Sequence, residues 1–151
     1  PGIEQALRQD SEARLWVLQD ARMSEVYAAS FRWVDGRWQV DQAPVLWPLA
    51  HLRERVASGQ LRLVAGSALS AYPDDVAGLA EQGASLAPDA RPHGRALAAL
   101  AQAAWAAGEA LDAALALPLY VRDKVAQTTA ERMADRQQAP GAAVAAGVVT
   151  P

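Results

Sequence analysis

The chain has 151 residues, 52% of them apolar and 21% charged, with a net charge of −3. That is enough chain for one domain with a real core and too little for two full domains flanking a cleft. The charge creates no field that would attract nucleic acid or an anionic membrane, the lack of cysteine excludes disulfides and thiolate-metal sites, and no apolar run approaches bilayer-spanning length.

Ile3 to Arg8 reads as a short helical remnant. Arg14 to Gln19 (RLWVLQ) is a mostly apolar run of strand length, expected to be central in a covered sheet. Ser24 to Val34 alternates with period two, with Tyr27, Ala29, Phe31 and Trp33 sharing one face. Asp35-Gly36 then separates it from Arg37 to Asp41, and an Asp-Gly pair between alternating runs is a strong hairpin signal. A two-residue turn there sets Val34 opposite Arg37, Trp33 opposite Trp38 and Phe31 opposite Val40.

Pro48 fits the first position of a helix running to about Ser58, with Gly59 as its stop and Leu49, Leu52 and Val56 as its apolar stripe. Leu61 to Ala65 is the next strand. Tyr72 to Gln82 reads as a short helix and Ala84 to Ala87 as a brief strand. Pro92 opens a helix over His93 to Ala107, stopped by Gly108, with Leu97, Leu100 and Ala104 as the stripe expected to be buried. Glu109 to Ala116 is helical in propensity, and Leu117 to Arg122 is expected to be extended because Pro118 blocks a helix. Beyond Ala139 the chain lacks periodicity and reads as a mobile tail.

Three leading antiparallel strands followed by alternating helices and strands indicate an α/β layer fold. The order matches one lobe of the ribonuclease H-like, actin-like architecture. Residues 1–125 are expected to form that lobe and residues 126–151 a flexible tail. No signal peptide is visible, and a start at Pro1 without an initiator Met suggests a processed chain or one beginning partway through a longer protein. The expected location is the cytoplasm.

The chemistry-bearing residues are sparse. The two histidines, His51 and His93, lack the i, i+4 spacing that puts two metal ligands on one helix face. No Gly-x-Ser-x-Gly elbow occurs. Gly66 and Ser67 lie between a strand and a helix, where backbone N–H groups can receive a phosphate, but an ordinary strand-exit turn is the simpler reading. Asp74-Asp75 is best read as the favourable first turn of a helix. The arginines form no dense run with interleaved aromatics, which argues against direct RNA binding. Asp20, Arg22 and Glu25 remain, at the joint between the first two strands. From composition they form a polar corner with an Arg–carboxylate pair, contributing about 0–1 kcal/mol.

The stretch Asp20 to Tyr27 (DARMSEVY), followed by an aromatic-rich hairpin, resembles the signature of the bacterial TsaB family, also called YeaZ. Leu117 to Gln127 (LPLYVRDKVAQ) resembles that family's C-terminal Pro-x-Tyr-x-Arg-(Asp/Asn)-x-Val-Ala segment. Between them, Leu61 to Pro73 (LRLVAGSALSAYP) resembles its strand-Gly-turn-aromatic-Pro element. The three occur in the family's order across Arg14 to Gln127. The family's N-terminal lobe, with its Asp-x-Ser/Thr strand and Gly-rich segment, is not matched, and its Gly-x-Gly turn is Gly66-Ser67-Ala68 here.

The resemblance implies a C-terminal actin-like lobe of a non-catalytic accessory subunit in making threonylcarbamoyl-adenosine beside the tRNA anticodon. The implied partners are a TsaD-like catalytic subunit, a TsaE-like ATPase and a second copy in a homodimer, with tRNA met only through the complex and no membrane. No catalytic residue and no metal are expected, and no cofactor bound by this lobe alone; ATP or ADP with magnesium would enter in the full complex. Asp20, Arg22 and Glu25 would mark the cleft-facing edge, and Tyr120 and Arg122 would anchor the returning C-terminal segment. The alternative is an enzyme, a glycoprotease-like hydrolase or a nucleotide-dependent phosphotransferase of the actin-like superfamily.

Overall fold

Strand β1 (Arg14–Arg22) carries Trp16 and Leu18 into the interior and is the centre of a five-stranded sheet. The computed structural model describes residues 13–35 and 37–122. The helix expected at Ile3 to Arg8 and the tail expected at 126–151 lie outside the described residues. β2 (Glu25–Val34) pairs antiparallel with β1, and β3 (Arg37–Pro48) antiparallel with β2. Val34 faces Arg37, Trp33 faces Trp38 and Phe31 faces Val40, the register that a two-residue Asp-Gly connection dictates.

β3 runs well beyond the expected Asp41. Pro44 reads as a strand breaker, but β3 is the outer strand of the sheet, where a residue without an N–H is tolerated. Register shifts around Ser30 re-align the pair, so that pairing resumes at Ala28 with Val45 and continues to Glu25 with Pro48.

Helix α1 (Leu49–Ala57) follows. Pro48 is not its first residue as expected but stands just before it, as the extended end of β3, and the helix caps at Ser58 ahead of Gly59, whose φ of 69° suits glycine. β4 (Leu63–Ala65) lies parallel to β1, and β5 (Ser85–Ala87) parallel to β4, giving the order β3-β2-β1-β4-β5. Between β4 and β5 come a single turn, α2 (Ala68–Ala71), and α3 (Pro73–Glu81). The sequence predicts one helix over Tyr72 to Gln82; the structure adds a turn that precedes the Pro73 start. This mixed sheet with packed helices is the expected ribonuclease H-like arrangement.

The core lies between one face of the sheet and helices α1 and α3. Trp16, Leu18, Val26, Ala28, Leu52 and Leu79 pack in one cluster. Arg55 of α1 lays its guanidinium 5.3 Å from the Trp16 ring and 5.6 Å from the Trp47 ring. On β2 it is the face with Val26, Ala28 and Ser30 that is buried. The aromatic face with Tyr27, Phe31 and Trp33 stays partly open, and Trp33 and Trp38 meet edge to face at 5.0 Å.

Two expectations fail downstream. Helix α4 (Gly94–Ala106) forms as its periodicity predicts, but its stripe is not buried: Leu97 is 69% and Leu100 55% exposed, and only Ala104 is partly covered. Periodicity tells which residues share a face and not whether another element covers it. Glu109 to Ala116 is not an α-helix. Gly108, at φ 72°, ends α4, and Asp112 caps only a 3-10 turn, Ala113–Leu115. Pro118 blocks its continuation. Leu117 to Val121 forms no strand.

Candidate functional site

Because β1 and β4 run parallel and in register, Val17 beside Ala65, the end of β1 meets the turn that leaves β4. Gly66 makes that approach possible. Its φ is 123°, and a Cβ there would stand 2.9 Å from the Leu18 carbonyl carbon and nearer still to the carbonyl oxygen. Only glycine fits such a backbone contact. The next residue, Ser67, accepts a hydrogen bond at its Oγ from the Asp20 backbone N–H at 3.0 Å.

Asp20 organises the corner. Its Oδ1 accepts from the Arg22 backbone N–H at 2.8 Å and from the Tyr72 hydroxyl at 2.8 Å. Its Oδ2 lies 3.2 Å from the Arg22 guanidinium. The Tyr72 hydroxyl also stands 3.5 Å from the Glu25 carbonyl oxygen. Ser24 accepts at its carbonyl from the Leu49 N–H at 3.1 Å, which ties the corner to the start of α1.

This bonding holds an unfavourable backbone. Arg22, Met23 and Ser24 have φ of 64°, 55° and 58° in succession. Left-handed conformation costs roughly 1–2 kcal/mol per non-glycine residue, so a run of three persists only where its surroundings determine it. Asp20 caps the first of these residues by the side-chain-to-backbone bond that aspartate forms readily in turns. The tip itself points outward: the Arg22 side chain is 87% exposed and Met23 73%.

The Arg22 N–H first, and then the Tyr72 hydroxyl, hold the Asp20 carboxyl below the usual carboxylate range. The same bond raises the Tyr72 hydroxyl above its ordinary value. Near neutrality Asp20 is therefore an ionised acceptor with its oxygens engaged, suited to holding a turn and poorly suited to giving or taking a proton. A phosphate at the Gly66-Ser67 turn would meet this carboxylate. The helix that follows the turn, α2, has four residues and offers little dipole to offset it.

The corner therefore joins Asp20, Arg22, Gly66 and Ser67, which the sequence presents as two separate features. Glu25 sits opposite Arg22 in the β1–β2 register. Tyr120 is not among the partners of Asp20 and is 80% exposed in the segment after the 3-10 turn; Arg122 is partly buried. Tyr72 was missed as a member, because nothing in its spacing reveals a partner 52 positions away. A second missed cluster lies on the sheet, where the Asp41 carboxylate receives the Ser30 hydroxyl and contacts the guanidinium groups of Arg14 and Arg32.

His51 is on α1, 3.3 Å from Glu54 and edge-on to Trp47, and His93 precedes α4. Among the described residues no group of three or more His, Asp or Glu could hold a metal ion, and no helix is long and apolar enough to cross a membrane. Asp74 and Asp75 do occupy the first turn of α3, and Asp75 also pairs with Arg53 at 3.0 Å.

Two solved structures from Pseudomonas aeruginosa are similar to this chain. One is YeaZ, at 28% identity and a TM-score of 0.54, with the match covering 77% of this chain and 52% of that one. The other is an uncharacterized protein with similarity to peptidase YeaZ, at 28% identity and a TM-score of 0.52, covering 79% of this chain and 54% of that one. No protein-family model and no curated protein matches. The chain spans about half the length of these solved chains. The resemblance to the TsaB (YeaZ) family read from the sequence is thus matched by a likeness in structure.

Proposed function

We propose that the chain acts as the C-terminal lobe of a TsaB-like accessory subunit, a scaffold in threonylcarbamoyl-adenosine modification of tRNA that performs no covalent step itself. Its partners would be a TsaD-like catalytic subunit and a TsaE-like ATPase, with a second copy in a homodimer, in the cytoplasm. The tRNA would be met through the complex, and ATP or ADP with magnesium would bind elsewhere in it.

One observation carries this reading beyond the family likeness. Asp20, the acid at the family-like motif, is engaged by Arg22 and Tyr72 of its own chain. It shapes a tip that presents Arg22 and Met23 outward. Such a corner recognises a protein surface through its shape and its exposed cation. Tyr120 and Arg122 are proposed to anchor the C-terminal segment, and Gly66-Ser67 serves as a strand-exit turn rather than as a phosphate loop.

The enzymatic alternative is a glycoprotease-like hydrolase or a nucleotide-dependent phosphotransferase of the actin-like superfamily, and one solved neighbour is itself similar to a peptidase. It requires Asp20 as a working carboxylate. Co-purification of the chain with the TsaD-like subunit of its own organism tests the proposal. Recovery of a stoichiometric complex supports it. Hydrolysis of a peptide or of ATP with magnesium by the purified chain, lost on Asp20→Ala, would favour the alternative.

A further inference from the structure

A cluster of charge lies at the other end of β1 from the Asp20 corner. Arg14 opens β1 and stands directly opposite Arg32 of β2; about 20 Å of extended strand separates it from Asp20. Like charges opposed across an antiparallel pair are destabilising. Asp41 of β3 relieves part of that repulsion. Its Oδ1 lies 3.1 Å from Arg32 Nε, and its Oδ2 meets Arg14 Nε and receives the Ser30 hydroxyl at 3.0 Å. Two cations still face one carboxylate, a local positive excess in a chain of net charge −3.

Hydrogen-bond donors are in excess as well. Asp41 meets only the two Nε atoms, and among the described residues neither guanidinium has a partner for its terminal Nη groups. Both side chains reach solvent, Arg14 at 50% and Arg32 at 37% exposure, while Asp41 is mostly covered. Three buried N–H groups in this neighbourhood have no hydrogen-bond acceptor among the described residues: Trp16 Nε1, Arg32 Nε and Arg55 Nε. Trp16 pairs with Ser30 across the strands, and Arg55 lies 5.3 Å over its ring. A place with spare donors, whose one carboxylate is already shared, has the chemistry to take an acceptor that carries negative charge.

We propose that Arg14 and Arg32, held side by side by Asp41, form a binding site for a phosphate group. A guanidinium presents parallel N–H groups that match a phosphate edge, and two such forks in one place can grip two edges of the same group. Asp41 acts through them as a positioning residue, engaging both Nε atoms and leaving the Nη groups for the ligand. A phosphate monoester and the phosphodiester of an RNA backbone share this chemistry. The inference rests on this cluster alone and not on the scaffold role, so either can fail without the other.

NMR titration of the 151-residue chain with inorganic phosphate, and separately with a short oligouridylate, tests it. Phosphate should shift the Nε–H signals of Arg14 and Arg32 saturably, and sodium chloride at equal ionic strength should not. Arg14→Gln and Arg32→Gln should each weaken phosphate binding at least about tenfold. Arg62→Gln, at an exposed position just before β4, should leave it unchanged. Arg14→Lys keeps the charge and loses the fork, so it should weaken binding too; being at a half-exposed side chain, the Arg14 variants decide the matter if Arg32→Gln fails to fold. Oligouridylate binding tighter than inorganic phosphate assigns the site to an RNA backbone, and binding no tighter assigns it to a monoester; either result supports the site. Shifts that chloride reproduces, shifts that never saturate, or an affinity unaltered in both Arg14→Gln and Arg14→Lys would overturn the proposal.

Discussion

The Tyr72 hydroxyl donates to Asp20 Oδ1 at 2.8 Å, joining the start of α3 to the end of β1 across 52 positions of chain. With the Ser67 bond to the Asp20 N–H, it fixes the corner from two sides. A three-residue left-handed run can persist beside β1 because these bonds leave its first residue little freedom.

Removing the hydroxyl should therefore loosen the corner without opening the core. Tyr72→Phe should cost about 1–2 kcal/mol, less than the full ~1.5–3 kcal/mol of a hydrogen bond to a charged acceptor because solvent screens this corner. Ser67→Ala should cost about 1 kcal/mol, as for a neutral pair. Urea unfolding of the two variants and their double mutant checks both. A double mutant that departs from the sum shows that the bonds act as one unit.

The acid limb of stability should also report on Asp20. Its folded carboxyl titrates below the unfolded value of about 4. The stability it contributes is present above that unfolded value and is lost as pH falls through the lower folded one. Tyr72 has the opposite sign. Its raised value means that its contribution is present below about pH 10 and is lost as pH rises through the folded value. Tyr72→Phe should move the Asp20 titration back up towards an ordinary carboxylate, as read by carboxyl-carbon NMR. An unmoved titration would show that the hydroxyl bond is not made in solution.

Two glycines with positive φ should respond unequally to alanine. Gly83, at φ 73°, has nothing within 4 Å of an added Cβ, so Gly83→Ala should cost only about 1–2 kcal/mol of backbone strain. Gly66→Ala would drive its methyl into the Leu18 carbonyl. It should separate β4 from β1 and leave little folded protein. Soluble yield and thermal melting distinguish the two.

Asp41 should matter more than its place on a sheet suggests. The Ser30 hydroxyl is fully buried and donates to it at 3.0 Å, and Arg14 and Arg32 face the same carboxylate. Asp41→Ala strands the hydroxyl and leaves two like charges together, for an expected loss of about 2–3 kcal/mol. Asp41→Ala combined with Ser30→Ala should recover part of that loss, because the unsatisfied group is gone.

Legibility in the sequence followed the range of the interactions. The hairpin register was readable because Asp35-Gly36 sets it locally. The stop at Gly59 and the acidic start of α3 were readable for the same reason. The full length of β3 was not, since Pro44 signals a break unless the strand is known to lie at the sheet edge. The stripe of α4 was readable as a face, but its exposure depends on which elements reach it. At the corner, Asp20 and Arg22 stood out by residue type and family likeness. Their union with Gly66, Ser67 and Tyr72 depends on β1 and β4 lying in register, which no local pattern encodes.

The claim that the corner serves partner recognition and not chemistry is tested most directly by titrating the chain against a purified TsaD-like subunit of its own organism. A saturable complex is expected, at least about tenfold weaker with Arg22→Glu; the change also turns the surface pair with Asp20 into a like-charge contact, at a cost of about 1 kcal/mol that leaves the chain folded. Absence of binding, or binding indifferent to Arg22→Glu together with ATP or peptide turnover abolished by Asp20→Ala, would contradict it.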